Sequence, residues 1–213
     1  MNTQLLEQIV RGEAPGLMPL NVDQYHRMIE TGILPEGANV ELLDGLLVLK
    51  DRRDAGGDIM NVGPRHSGLV TALFKFLDQL VENRGFHVRC QQPITLPPGN
   101  EPEPDVSVAI GDWQRYFDRH PTASELAVVI EIADSSLQQD RDMKQRIYAS
   151  AGIPTYWIVN VVEQQIECFT QPTQDTSRYQ DQQVLQRGDS ISLALQPGET
   201  VSFALAELFP NAN

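Results

Sequence analysis

Seven residues in the middle of the chain, Leu126 to Ile132 (LAVVIEI), are apolar at every position except Glu131. Strands that run apolar on both sides lie inside a sheet with both faces covered, so this segment reads as the central strand. The neighbouring elements are read outward from it. Asp105 to Ile110 (DVSVAI) is a second strand, separated from the first by the connection Gly111 to Glu125. Asp140 to Ala151 reads as a helix stopped by Gly152 and Pro154, and Thr155 to Val162 returns as a strand. Upstream, Leu69, Leu73, Leu77, Leu80 and Val81 recur at three- and four-residue steps. That spacing makes His66 to Asn83 a helix, ended by Gly85. Phe86 to Leu96 alternates as a strand, and Pro97 to Pro104 is a stiff turn.

The outer segments are shorter. Asn21 to Thr31 reads as a helix with Asn21 or Asp23 as cap and Gly32 as stop. Asn39 to Lys50 (NVELLDGLLVLK) is two short strands about Asp44-Gly45, a dipeptide favoured in tight hairpin turns. Gln164 to Phe209 reads as a β meander of short strands, closed by a small helix near Ala204 to Leu208. Asp51 to Pro64 is polar and Gly-rich and reads as a mobile loop. The first twenty residues read as a weak helix and a Pro- and Gly-containing linker. The expected organisation is therefore an N-terminal helical extension, residues 1–20, and a single α/β domain, residues 21–213.

Bulk properties narrow the function. Hydrophobic residues make up 41% of the 213, enough for a cored domain. The formal net charge is −13, from 16 basic and 29 acidic residues. Such a chain is not built for indiscriminate nucleic-acid binding, which runs on phosphate neutralisation. Any phosphate chemistry must then use a local basic patch, a divalent metal, a dimer groove or a partner. No apolar run approaches the roughly 18 residues of a membrane span, and Met1 to Gly12 lacks the pattern of a secretory signal. Cys90 and Cys168 match no zinc spacing and read as reduced core thiols, which suits a cytoplasmic protein.

The residues with chemical potential lie around the central strand. If Asp105–Ile110 and Leu126–Ile132 pair antiparallel, the start of the first lies beside the end of the second. Asp105 and Glu131 then meet at one end of the sheet, the outline of a divalent-metal site. A carboxylate flanked by Val129, Ile130 and Ile132 is expensive to desolvate without a cation or donors. Mg²⁺ would compensate it, because it takes one or two carboxylates together with water and phosphate oxygens. An arginine partner, or exposure at the strand end, would compensate it equally. On the Asp140–Ala151 helix, Met143, Ile147, Tyr148 and Ala151 span one inward arc, and Lys144 falls inside it. Lys144 can reach the carboxylates from there, or form a surface pair with Asp140 at four-residue spacing. His66 opens an apolar helix, where it can cap, accept a proton or fill space. Trp157 reads as sheet packing.

These residues carry a resemblance. Pro104-Asp105 followed by Glu131 on the next apolar strand resembles the PD-(D/E)XK nuclease superfamily. EPDVSV (Glu103 to Val108), VVIEIADSS (Val128 to Ser136) and DRDMKQRIYASAGIPTYWIVN (Asp140 to Asn160) are similar to its large family of restriction-endonuclease-like proteins. The Glu41-Leu42-Leu43-Asp44-Gly45 segment and His66 also recur there. The resemblance runs from about Asn21 to Phe209 and implies a restriction-endonuclease-like core, a central mixed sheet flanked by helices. It implies Asp105 and Glu131 as metal ligands and catalytic residues, Glu41 as a third acidic residue, and a catalytic lysine. The lysine departs from the usual position, since Ala133 stands two residues after Glu131. Lys144, on the following helix, matches a known variation of its place.

The expected function is a Mg²⁺-dependent endonuclease, with Mn²⁺ as a substitute ion, that hydrolyses DNA phosphodiester bonds. A homodimer would supply further surface to grip a duplex. The alternative is a binding or regulatory module that keeps the nuclease fold without the chemistry, motivated by the negative charge. A glycosidase-type carboxylate pair ranks last, for want of an aromatic sugar platform.

Overall fold

The computed structural model describes residues 18–35, 37–50, 63–134, 136–196 and 198–209, together with residues 8 and 11. Most of the expected N-terminal helix and linker, and residues 51–62 of the expected loop, lie outside the described residues. The chain divides into two units, one of residues 1–50 and 95–103, the other of residues 51–94 and 104–213.

In the first unit, helix α1 (Val22–Glu30) starts with a reciprocal cap. Asn21 Oδ1 accepts from the Gln24 backbone N–H at 2.8 Å, and Gln24 Oε1 accepts from the Asn21 N–H at 2.9 Å. This satisfies two donors that a helix start otherwise leaves orphaned. Strands β1 (Val40–Leu43) and β2 (Leu46–Leu49) form the expected hairpin, with Leu43 opposite Leu46. Its two central residues, Asp44 and Gly45, have φ of 52° and 75°, the left-handed pair that a two-residue hairpin turn requires. Gly45 is also held by close packing: a Cβ there would lie 2.4 Å from Pro19 Cβ. Val22, Tyr25 and Leu42 form the small core of this unit.

The second unit is built on a six-stranded mixed sheet in the order β3-β4-β5-β6-β7-β8. These strands are Phe86–Cys90, Val106–Ile110, Leu126–Ala133, Thr155–Asn160, Gln165–Thr173 and Arg178–Gln186. Every neighbouring pair is antiparallel except β5 and β6, which are parallel. A parallel pair needs a crossover, and the helical segment between β5 and β6 supplies it. All eight residues of β5 are buried, as its composition requires. One face of the sheet, through Val106, Val108, Val128, Ile130, Ile132 and Trp157, packs on Leu69, Leu73 and Leu77 of helix α2 (Pro64–Val81). The same core takes in the hairpin of β9 (Ser190–Gln196) and β10 (Glu199–Ala204), through Ile191, Leu193, Val201 and Phe203. The other face is covered by a helical run in three parts: α3 (Leu137–Gln139), a π-helical segment (Asp140–Lys144) and α4 (Gln145–Ala151). Tyr148 of α4 meets Tyr156 of β6 edge-on, and Tyr156 stacks on Phe169 of β7.

Two expectations are corrected. The strand expected over Phe86–Leu96 ends at Cys90. Gln91 turns away with φ 48°, and Pro93 has no N–H to extend a ladder. The C-terminal strands do not form one meander: β7 and β8 extend the main sheet, while β9 and β10 pair only with each other. The chain ends in the short helix α5 (Leu205–Leu208).

Candidate active site

The β4–β5 ladder pairs Ser107 with Val129 and Val106 with Ile130. Asp105 immediately precedes β4, and Glu131 lies one residue beyond the last position of β5 paired with β4, so the two carboxylates stand at the same end of the sheet. Asp105 is anchored on both oxygens. Its Oδ2 accepts from the Ile132 backbone N–H at 2.8 Å, and its Oδ1 lies 2.9 Å from Nε2 of His66. His66 sits in the first turn of α2, so the start of a helix and the ends of two strands converge here. Burial pulls the His66 imidazole toward neutrality. The hydrogen bond and charge of Asp105, a backbone bond at Ile132 and the charge of Asp134 outweigh burial, and its pKa is raised.

Glu131 is only 3% exposed. Its Oε1 accepts from Lys144 Nζ at 2.9 Å and from the Tyr148 hydroxyl at 2.6 Å. Lys144 is itself buried, at 7% exposure, so it is not a surface lysine. It stands at the end of the π-helical segment, where the Gln145 N–H reaches back to the Asp140 carbonyl. Single π turns within helices are rare and cluster at functional sites, because the widened turn re-aims side chains. Two hydroxyls hold the segment. Ser136 Oγ donates to Asp140 Oδ2 at 2.6 Å, and the Tyr156 hydroxyl donates to the Asp140 carbonyl at 3.2 Å. Burial, then the charges of Asp140 and Glu131, raise the Tyr156 pKa well above its ordinary value, so this hydroxyl keeps its proton.

Asp105 and Glu131 are the two sequence-expected carboxylates at this end of the sheet. Among the described residues, no group of three or more His, Cys, Asp or Glu side chains is arranged to hold a metal ion. Two carboxylates suit Mg²⁺, which keeps several waters and adds substrate oxygens. They do not suit a closed structural zinc site, which takes four protein ligands. Neither thiol is a ready ligand: burial, with the Asp105 charge adding to it, pushes Cys90 up to about 11, and burial raises Cys168. Glu41 lies on β1 of the first unit, where it is buried and its Oε1 accepts from the Glu103 N–H at 2.7 Å. Sequence reasoning assigned no role to Tyr148 or to the Ile132 N–H. Tyr148 was visible as the residue four beyond Lys144 on one helix face; the Ile132 contact has no sequence signal.

The family profile described as "Uma2: Putative restriction endonuclease" matches residues 22–205. The chain belongs to this family. A protein from Anabaena variabilis, described as a putative nuclease belonging to DUF820, shares the fold of this Uma2 protein with a TM-score of 0.62. The two are 17% identical over 90% of this chain and 98% of the other. The expected α/β architecture, a central mixed sheet with flanking helices, is therefore that of a solved relative in fold. No curated protein matches the chain. Among the described residues, no helix is long and apolar enough to cross a membrane, which says nothing of β-barrels.

Proposed function

We propose that this Uma2 protein is a Mg²⁺-dependent endonuclease that hydrolyses DNA phosphodiester bonds, with Mn²⁺ able to replace Mg²⁺. The observation that carries the reading is the buried Lys144–Glu131 pair at the sheet end where Asp105 stands. Asp105 and Glu131 would hold the ion. When bound, it supplies Lewis acidity and a water of lowered pKa. Lys144 would orient the attacking water or stabilise charge on the transferring phosphate. His66 would fix the Asp105 carboxylate through its Nε2. Hydrolysis joins the water oxygen to phosphorus as the bond to the leaving oxygen breaks, and the leaving oxygen takes up a proton. Glu41 enters as a third acidic residue on sequence grounds alone, and Glu41→Gln is its separate test. With a net charge of −13, a second copy of the chain would add surface to hold a duplex.

The test is calorimetric titration of Mg²⁺ and Mn²⁺ into wild type and Glu131→Ala, followed by cleavage of plasmid DNA. Binding lost in the variant, with cleavage lost in Asp105→Ala, Glu131→Ala and Lys144→Ala while all remain folded, is expected. Cleavage retained in both carboxylate variants rules the mechanism out. A second reading, a non-catalytic module with the nuclease fold, is favoured by one feature: both Asp105 oxygens already have protein partners. Absence of metal binding to wild type, with a short DNA duplex present, would favour that module.

A further inference from the structure

The ladder sets Glu131 of β5 opposite Ile158 of β6, and Ile158 opposite Glu167 of β7. Two glutamates therefore share one transverse row on one face, two strands and roughly 10 Å apart. Both are buried, Glu167 at 1% exposure. Both are met by cations of the same π-helical segment, three residues apart. Lys144 reaches Glu131, and Arg141 reaches Glu167 with its Nε 3.0 Å from Oε1 and 3.1 Å from Oε2 while Nη2 also donates to Oε1.

The two contacts differ in stiffness. A guanidinium fork on a carboxylate fixes direction as well as distance, whereas an ammonium on a four-carbon stem can swing. A buried carboxylate on β7 is also costly unless its partner stays in place. We propose that Arg141 and Glu167 are a positioning pair, which clamps the π-helical segment to β7 and thereby holds the Lys144 ammonium at Glu131. Beside the two hydroxyls at Asp140, the Arg141 fork gives the segment a second anchored cation, across β6 from Glu131. The functional weight of the pair rests on the proposed role of Lys144, but its geometry does not.

The test uses a favourable property of the sequence: the chain has three lysines, Lys50, Lys75 and Lys144. Acylation of each amine in the folded protein is followed by mass spectrometry in wild type, Glu167→Gln, Arg141→Gln and the double variant. Because modification of a buried amine tracks local opening, Lys144 should react about tenfold faster or more in each variant, with Lys50 and Lys75 unchanged within about twofold. The double variant should match the single ones, since either change breaks the same clamp. An unchanged Lys144 rate overturns the proposal, as does a joint rise at all three lysines, which would mean general loss of fold. Multiplying effects in the double variant overturn it too, since the residues would then act separately. This readout needs neither metal nor DNA, so it decides the clamp even if the nuclease reading fails.

Discussion

Replacing Lys144 by Met keeps most of the stem volume and removes the charge. Glu131 would keep the Tyr148 hydroxyl at 2.6 Å but lose the ammonium at 2.9 Å. The two side chains are 5% and 9% exposed, so water cannot replace the lost cation. Breaking a buried pair by removing one partner costs about 3–5 kcal/mol, because a charge is left behind. For a chain of this size each kcal/mol moves the melting temperature by about 2–4 °C, so Lys144→Met should melt about 6–20 °C below wild type. Removing both charges is close to neutral in such sites. The double variant Lys144→Met/Glu131→Gln should therefore recover most of that loss. Mg²⁺ adds a further arm: a divalent ion at Asp105 and Glu131 would replace the missing positive charge. It should stabilise Lys144→Met more than it stabilises the double variant. The assay is calorimetric or fluorescence-detected melting at pH 7.5, with and without Mg²⁺. A Lys144→Met protein that melts with wild type, or a double variant no better than the single one, would refute the energetic coupling.

Other expectations follow from single sites. Hydrogen bonding by Arg119, against opposing burial and with help from Thr122 and Arg115, holds the Glu125 carboxyl far below the usual range. A depressed carboxylate contributes stability that is present above its unfolded pKa of about 4.3 and lost as pH falls toward the folded value. Urea unfolding from pH 7 to pH 3 should thus show a steeper acid loss in wild type than in Glu125→Gln; equal slopes would contradict this. With their pKa values raised, Cys90 and Cys168 should react slowly with a disulfide reagent at pH 8 and rapidly once unfolded; fast native labelling would count against it. Gly45→Ala combines a positive φ with a 2.4 Å approach to Pro19, and should lose at least about 1–2 kcal/mol in urea unfolding. Stability within error of wild type would show that the turn relaxes.

Much of the fold was legible because several segments carry local signals that agree with their packing. LAVVIEI can hardly avoid the middle of a sheet, and all eight residues of β5 are buried. Asp44-Gly45 specifies its own turn, and the leucines at 69, 73 and 77 specify the buried face of α2. The misread strand after Cys90 shows where such signals fail. Alternation continued on paper through Gln91 and Pro93, while backbone direction there follows from Gln91 at φ 48°. The split of the C-terminal strands was equally invisible, because short amphipathic strands do not name their partners.

Composition and spacing within single segments specify the α/β class, the hairpin, the main helices, the acidic balance and a short set of candidate residues. Which of those residues meet is settled by the packed fold. It set Asp105 against the Ile132 N–H and His66, and it inserted a π turn that sets Lys144 on Glu131 and Arg141 on Glu167. These contacts join residues from different elements through strand register and helix rotation. Those are fixed by the packing of the whole core, and no local stretch of residues encodes them.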